Sequence, residues 1–193
     1  MSDPEGLPVV VITGAPATGK STLGRRVARR LHAALIDQDV ATQPLVAVIQ
    51  RLVGIHDLDD ERLARVTREA RYEAIAALAV DNLRVGIPVV LVAPYTSERA
   101  DEQAWADLAD RFVSAGGTPL LVWLSLEPTR ILRRLQARGA LRDQAKVTTD
   151  RAYLAQLSRA AAQPSAPHLA LPAEQASEVL VRRVLGALNG SPA

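Results

Sequence analysis

The chain alternates between short apolar runs and longer amphipathic stretches. Runs rich in Val, Ile and Leu predict buried strands at 7–14, 33–37, 86–94, 118–126 and 166–172. Between them, apolar residues recur at helical spacing, which predicts helices over 19–32, 43–53, 60–84, 101–115, 127–139, 150–162 and 174–188. Strands that alternate with helices predict an α/β fold, a parallel sheet covered by helices on both faces. We expect one domain over residues 1–193.

Composition narrows the class of protein. The chain is 48% hydrophobic and 23% charged, which is typical of a folded globular protein. It has no cysteine, so disulfides and thiolate metal sites are excluded and a cytoplasmic location is expected. No apolar run approaches the roughly 20 residues that span a bilayer, and no secretory signal is expected at residues 1–8. A net charge of +2 and an aromatic content of 3% argue against nucleic-acid binding. The oligomeric state is left open.

The strongest motif is GAPATGKST, residues 14–22, which matches G-x-x-x-x-G-K-[ST] between a predicted strand and a predicted helix. In such a loop, successive backbone N–H groups and the helix N-terminus bind phosphates. Lys20 would reach the β- and γ-phosphates of ATP, and the Ser21 hydroxyl would bind Mg²⁺. The predicted nucleotide-binding residues are Gly14, Ala15, Ala17, Thr18, Gly19, Lys20, Ser21 and Thr22.

Two carboxylates, Asp37 and Asp39, follow the second predicted strand. Ligands of open α/β sheets bind at the carboxyl ends of the strands, where the phosphate loop also lies. Because side chains of an extended chain alternate, both acids are expected to point the same way. One would hold Mg²⁺ and the other would accept a proton from an attacking hydroxyl. The alternative is that Asp39 only caps a helix that begins near Thr42.

The phosphate loop, the order of elements and the Asp-x-Asp resemble the P-loop kinases of small molecules. This group includes shikimate and gluconate kinases, chloramphenicol phosphotransferase, the zeta toxins with their AAA-type ATP-binding domain, and the kinase domain of phage polynucleotide kinase. The resemblance implies the strand order 2-3-1-4-5. It also implies that Asp37 lies near Mg²⁺ and that Asp39 lies against the acceptor hydroxyl as the catalytic base, although which of the two acids is the base is left open.

The chain departs from this group after the third predicted strand. Shikimate kinases have a glycine triplet there, whereas this chain reads APYTSER at 93–99, which makes shikimate an improbable acceptor. The strand also ends in Ala93 rather than in the acid of many P-loop ATPases. Magnesium would therefore depend on Ser21 and Asp37, and an ATPase motor or a GTPase switch is disfavoured.

A basic stretch follows the fourth predicted strand. Arg138 and Arg142 flank Gly139, and the resemblance implies a small lid over about 138–150 whose arginines clamp the phosphates of ATP during catalysis. For Arg130 and Arg133 a solvated basic surface is the favoured interpretation, and Arg134 is left undecided.

The acceptor-binding region is predicted at about 40–85. Arg71 occupies a position where several small-molecule kinases bind substrate, although a surface ion pair explains it equally well. Four residues after the third strand could also line the acceptor pocket, and they are equally explained as turn residues that cap the next helix: Tyr95, Thr96, Ser97 and Arg99.

These features favour an ATP-dependent, Mg²⁺-dependent kinase acting on a hydroxyl of a sugar, polyol, metabolite or antibiotic. Two alternatives are a kinase of nucleotides or nucleic-acid ends, and an ATP-binding regulatory module that transfers nothing. The residues do not identify the acceptor.

Overall fold

The structure is a computed structural model that describes residues 6–54, 61–138 and 157–190. Its strands are β1 (Leu7–Gly14), β2 (Ala34–Asp37), β3 (Val89–Val92), β4 (Gly117–Ser125) and β5 (Leu169–Pro172). Its helices are α1 (Lys20–Leu31), α2 (Gln38–Val53), α3 (Glu61–Arg84), α4 (Glu102–Ser114), α5 (Pro128–Arg138) and α6 (Ser177–Leu188). Residues 157–161 are also helical.

The five strands form one parallel sheet in the order β2-β3-β1-β4-β5. This is the α/β fold and the strand order that the sequence predicted, so both are confirmed. In this order β1 is central, and its carboxyl end meets those of β3 and β4. Asp37, the last residue of β2, is the register partner of Val92, the last residue of β3. The sheet therefore brings the phosphate loop, Asp37 and the residues after β3 to one edge.

The side chains of the central strands alternate between two hydrophobic clusters, as expected for strands buried on both faces. Val10 and Ile12 of β1 point into the first cluster, where α1, α5 and α6 cover the sheet. Val9 and Val11 point into the second cluster, which α3 and α4 cover. The sheet is therefore the middle layer of three, and the edge of this layer is where a ligand has access.

Helix α2 begins earlier than predicted. The sequence placed its start near residue 43, but the helix begins at Gln38 and Pro44 lies inside it. Two contacts support the added turn. The Asp37 carboxylate accepts a hydrogen bond from the N–H of Asp39 at 3.1 Å, and the Thr42 hydroxyl donates to the Gln38 carbonyl at 2.6 Å. The strand β2 thus passes directly into α2 without a connecting loop.

Candidate functional site

The phosphate loop connects β1 to α1 in a conformation that small residues permit. Gly14, Ala17 and Gly19 have φ angles of 145°, 59° and 96°. At Gly14 a Cβ atom would lie 2.7 Å from the carbonyl oxygen of Leu124, so no larger residue fits there without a backbone shift. The Thr18 hydroxyl is buried and donates to the Ala15 carbonyl at 2.9 Å, which closes the loop.

Two polar side chains at the start of α1 are oriented by this loop. The Lys20 ammonium donates to the carbonyls of Gly14 and Ala15 at 2.9 and 2.8 Å, so the cation lies across the loop. Ser21 is partly buried, whereas Thr22 is exposed. The loop therefore presents a cation and a hydroxyl at the N-terminus of a helix, a combination that binds phosphate.

Ser21 and Asp37 are in direct contact. The Ser21 hydroxyl donates to one oxygen of Asp37 at 2.6 Å, and the other oxygen of Asp37 caps α2. The contact joins the start of α1, directly after the phosphate loop, to the end of β2 at the same edge of the sheet. A hydroxyl and a carboxylate are hard oxygen donors of the kind that Mg²⁺ prefers, so the pair fits the ion chemically. In the described ranges no group of three or more His, Cys, Asp or Glu could hold a metal by itself.

Asp39 is not part of an extended chain. The expectation that alternation along a strand aligns it with Asp37 was wrong, because Asp39 is the second residue of α2. The capping alternative was also wrong, since Asp37 is the N-cap. The Asp39 side chain is 61% exposed, and one of its oxygens accepts a hydrogen bond from Arg71 at 2.8 Å.

Arg71 connects α3 to the start of α2. Besides its bond to Asp39, it donates through Nε to the Thr42 hydroxyl at 2.8 Å. Its guanidinium is thus held between a carboxylate and a hydroxyl, and its side chain is only 22% exposed. Two alternatives were predicted for Arg71, a surface ion pair and a role in acceptor binding. The ion pair that it forms includes Asp39, the predicted base, so the two alternatives do not exclude each other.

Residues 93–101, the post-β3 loop, leave the sheet beside Asp37. Within this loop Tyr95 has a φ of 42° and a side chain only 1% exposed. Its N–H donates to the Tyr72 hydroxyl at 2.9 Å, and the two rings lie 5.3 Å apart. Burial raises the pKa of Tyr72 to about 12, with a further contribution from the Glu98 carboxylate. The prediction that Tyr95 binds the acceptor is not supported, because its side chain belongs to the core. It anchors the loop instead.

Arg99, in the same loop, was predicted to line the acceptor pocket or to be a turn residue, but it is buried and contacts backbone carbonyls instead. The residue is 5% exposed, and its guanidinium donates to the carbonyls of Arg159, Ala160 and Ala162 at 3.1, 2.9 and 2.7 Å. These carbonyls lie at the C-terminal end of the helical segment 157–161, where the helix dipole favours a cation. Burial lowers the pKa of Arg99. No sequence pattern signals this contact, because its partners are backbone groups about 60 residues away.

The basic stretch that follows β4 lies within the described residues only as far as Arg138. Arg130 is exposed and pairs with Glu174, which agrees with a solvated surface. Arg134 donates to the carbonyls of Ala17 in the phosphate loop and of Ala173 after β5, at 3.3 and 3.2 Å. Arg138 is the last residue of α5. Arg142, and with it nearly all of the predicted lid at 138–150, lies outside the described residues.

The parallel sheet, the phosphate loop and the Ser21–Asp37 pair define a P-loop nucleotide-binding fold. The family profile AAA_33, an AAA domain, matches residues 9–164, and the chain belongs to this family. The predicted resemblance to P-loop kinases of small molecules is therefore confirmed. In the described part of the chain, no helix is long and apolar enough to cross a membrane.

Three comparisons illustrate the relationship. A shikimate kinase of Corynebacterium glutamicum is 58% identical over 33 residues, which are 17% of this chain and only 20% of that kinase. A putative kinase from Chloroflexus aurantiacus is 19% identical and superposes with a TM-score of 0.69, over 97% of this chain and 99% of the other. The APS kinase of Mycobacterium tuberculosis, solved in complex with AMPPNP and APS, is 18% identical with a TM-score of 0.66, over 97% and 100%. At these identities the two structures show a shared fold.

Proposed function

We propose that the protein is an ATP-dependent kinase that transfers the γ-phosphate to a hydroxyl group of a small molecule. The observation that carries the proposal is the Ser21–Asp37 contact at 2.6 Å, with Asp39 one residue into the following helix. The proposal is supported because a hydroxyl and a carboxylate that could hold a metal ion lie beside the phosphate loop, and a second carboxylate follows two residues later.

Each of these residues has a defined part in the proposed reaction. The loop N–H groups and Lys20 would bind the β- and γ-phosphates, which requires the ammonium to exchange its two carbonyl partners for phosphate oxygens. Ser21 and Asp37 would hold Mg²⁺, directly or through water, and the ion would supply charge neutralisation at the phosphates. Because Asp37 is also the N-cap of α2, its carboxylate is fixed before any ligand arrives.

Asp39 is the proposed base. One oxygen is held by Arg71, while the carboxylate as a whole remains exposed at the ligand-binding edge. The acceptor hydroxyl would donate its proton to this carboxylate as its oxygen attacks the γ-phosphorus in line with the departing ADP oxygen. Arg71 would orient the base, and its own position is fixed by its hydrogen bond to the buried Thr42 hydroxyl. Helices α2 and α3 would thus form the acceptor region, as predicted for residues 40–85.

The test is ADP release from Mg-ATP in the presence of pooled sugars, polyols, nucleosides and antibiotics. We expect one pool to raise turnover, Lys20→Ala to abolish it, and Asp39→Asn to lower kcat by roughly 10²- to 10⁴-fold, as for loss of a general base. Arg71→Gln separates the base from its orienting partner. Asp107→Asn, which changes an exposed carboxylate on α4, is the matched control and should leave turnover unchanged. Tight ATP binding with no stimulation by any pool would instead favour a regulatory ATP-binding protein.

A further inference from the structure

Arg68 lies one helical turn before Arg71 on the same face of α3, at the acceptor side of the proposed site. Its guanidinium donates to the hydroxyls of two post-β3 loop residues, Thr96 and Ser97, the latter at 3.0 Å. Each hydroxyl that accepts from Arg68 still has its own proton to donate. The three side chains therefore present several hydrogen-bond donors and one positive charge at a single exposed position.

The position of Arg68 is fixed before any ligand binds. The guanidinium carbon lies 5.8 Å from the centroid of the Tyr72 ring, at cation–π distance. The hydroxyl of the same tyrosine accepts the N–H of Tyr95, which holds the post-β3 loop against α3. One aromatic residue thus holds both the cation and the loop that carries the two hydroxyls. Such preorganisation lowers the entropic cost of binding a ligand.

The charges around Arg68 favour an anion. Arg71 is bonded to Asp39 and Arg111 to Glu73, whereas within the described ranges no carboxylate pairs with Arg68. Glu98, an acid of the same loop, has one buried carboxylate oxygen, and its charge helps to raise the pKa values of Tyr72 and Tyr95. The Arg68 guanidinium therefore faces solvent with neutral hydroxyl partners.

We propose that Arg68, Thr96 and Ser97 form a subsite for an oxyanion of the acceptor, such as a carboxylate or a phosphate. The inference rests on the proposed function, since it places the subsite in the pocket where the acceptor hydroxyl meets Asp39. Arg68 lies one turn of α3, about 5 Å along the helix axis, from the arginine that holds this base. The acceptor is thus a small hydroxy compound with an anionic group several bonds away from the reacting hydroxyl.

The first experiment compares matched pairs of acceptors that differ by an oxyanion: glycerol with glycerate, glucose with gluconate, and glucose with glucose 6-phosphate. Wild type should show a KM that is about 10- to 100-fold lower for an anionic member, the range for hydrogen bonds to a charged group. Arg68→Gln should remove that difference and leave kcat and the KM for Mg-ATP nearly unchanged. The double variant Thr96→Val/Ser97→Ala should weaken the preference without removing it.

Matched controls and outcomes make the result decisive. Arg84→Gln, which removes an exposed cation at the far end of α3, should retain the full preference for the anion. Equal KM values for neutral and anionic members in wild type would overturn the subsite while the kinase proposal stands. A loss of kcat with every acceptor in Arg68→Gln would also overturn it, since that result indicates that Arg68 only holds the loop.

A second experiment tests the subsite when no acceptor is turned over. The Arg68 Nε–H signal, assigned in NMR spectra by its loss in Arg68→Gln, is followed during titration with inorganic phosphate while Mg-ADP saturates the phosphate loop. A saturable shift at millimolar phosphate, weakened in Thr96→Val/Ser97→Ala, supports the subsite even if the kinase proposal fails. A signal that does not move overturns it.

Discussion

Asp37 combines two roles that substitution can separate. One carboxylate oxygen accepts from the N–H of Asp39 and caps α2, and the other accepts from the Ser21 hydroxyl. The side chain is buried, so both bonds are shielded from water. We compare Asp37→Asn with Asp37→Ala, because Asn retains the shape of the side chain and loses only the charge.

The two substitutions differ in their expected effect on stability. In Asp37→Asn the amide oxygen still caps α2, and the amide nitrogen donates to Ser21 once that hydroxyl rotates, so the loss should stay below about 1 kcal/mol. Asp37→Ala loses the cap, worth about 1 kcal/mol, and the bond to Ser21, worth about 1–2 kcal/mol. For a chain of this length, each 1 kcal/mol corresponds to roughly 2–4 °C in Tm. The alanine variant should therefore melt about 5–10 °C below wild type.

Activity, unlike stability, should not distinguish the two variants. Because neither variant offers a carboxylate to Mg²⁺, both should lose about 100-fold or more in turnover with the best acceptor pool. Thermal unfolding followed by circular dichroism, without nucleotide, measures the first effect. ADP release over a range of Mg²⁺ concentrations measures the second.

Two results would refute the reasoning. If Asp37→Asn retained turnover within about threefold of wild type, the proposed role of this carboxylate at magnesium would be wrong. If the asparagine variant melted as low as the alanine variant, the two hydrogen bonds would not be what stabilises this position.

Three further predictions concern stability. Arg99→Met should cost about 2–3 kcal/mol in urea unfolding, because three carbonyls lose a buried cationic donor; an unchanged midpoint would contradict this. Gly24→Ala should destabilise the fold by about 1–2 kcal/mol, although alanine has the better helix propensity, because the new Cβ would lie 2.6 Å from a Val92 methyl carbon. Increased stability in the same urea unfolding experiment would contradict this, since it would show that Val92 can move to make room. Arg111 donates a hydrogen bond to Glu73 and holds the pKa of that carboxyl below its usual value. The pair therefore stabilises the folded state at neutral pH, and this contribution is lost as the pH falls through the lowered pKa. Glu73→Gln should thus be less stable than wild type by at most about 0.5 kcal/mol at neutral pH and equal to it in acid, since the pair is exposed; an equal deficit at both pH values would argue against the ion pair.

The sequence predicted those features that depend on periodicity and on local motifs. The order of strands and helices followed from apolar spacing, and the phosphate loop followed from nine consecutive residues. The strand order followed from the family resemblance, because spacing along the chain does not show which strands are neighbours. Ser21 and Asp37 were both expected at the carboxyl edge, and there they are in contact. Their role as magnesium ligands stays a prediction.

The errors have one physical origin, which is that tertiary contacts override local signals. A helix start near residue 43 was predicted, but the Asp37 cap and the Thr42 hydroxyl stabilise an earlier one. Tyr95 was predicted to bind the acceptor or to be a turn residue, but it packs on Tyr72 and is buried. The partners of Arg68 and Arg99 lie about 30 and 60 residues away along the chain, beyond any local pattern.

The direct passage from β2 into α2 has a thermodynamic consequence. Because Asp37 is at once the last strand residue and the N-cap, no flexible residue separates a proposed magnesium ligand from the helix that carries Asp39. An acceptor that shifts α2 would therefore displace the carboxylate that faces Ser21. The affinities for metal and acceptor are then linked, and linkage is reciprocal: whatever factor Mg²⁺ contributes to acceptor binding, the acceptor returns to Mg²⁺.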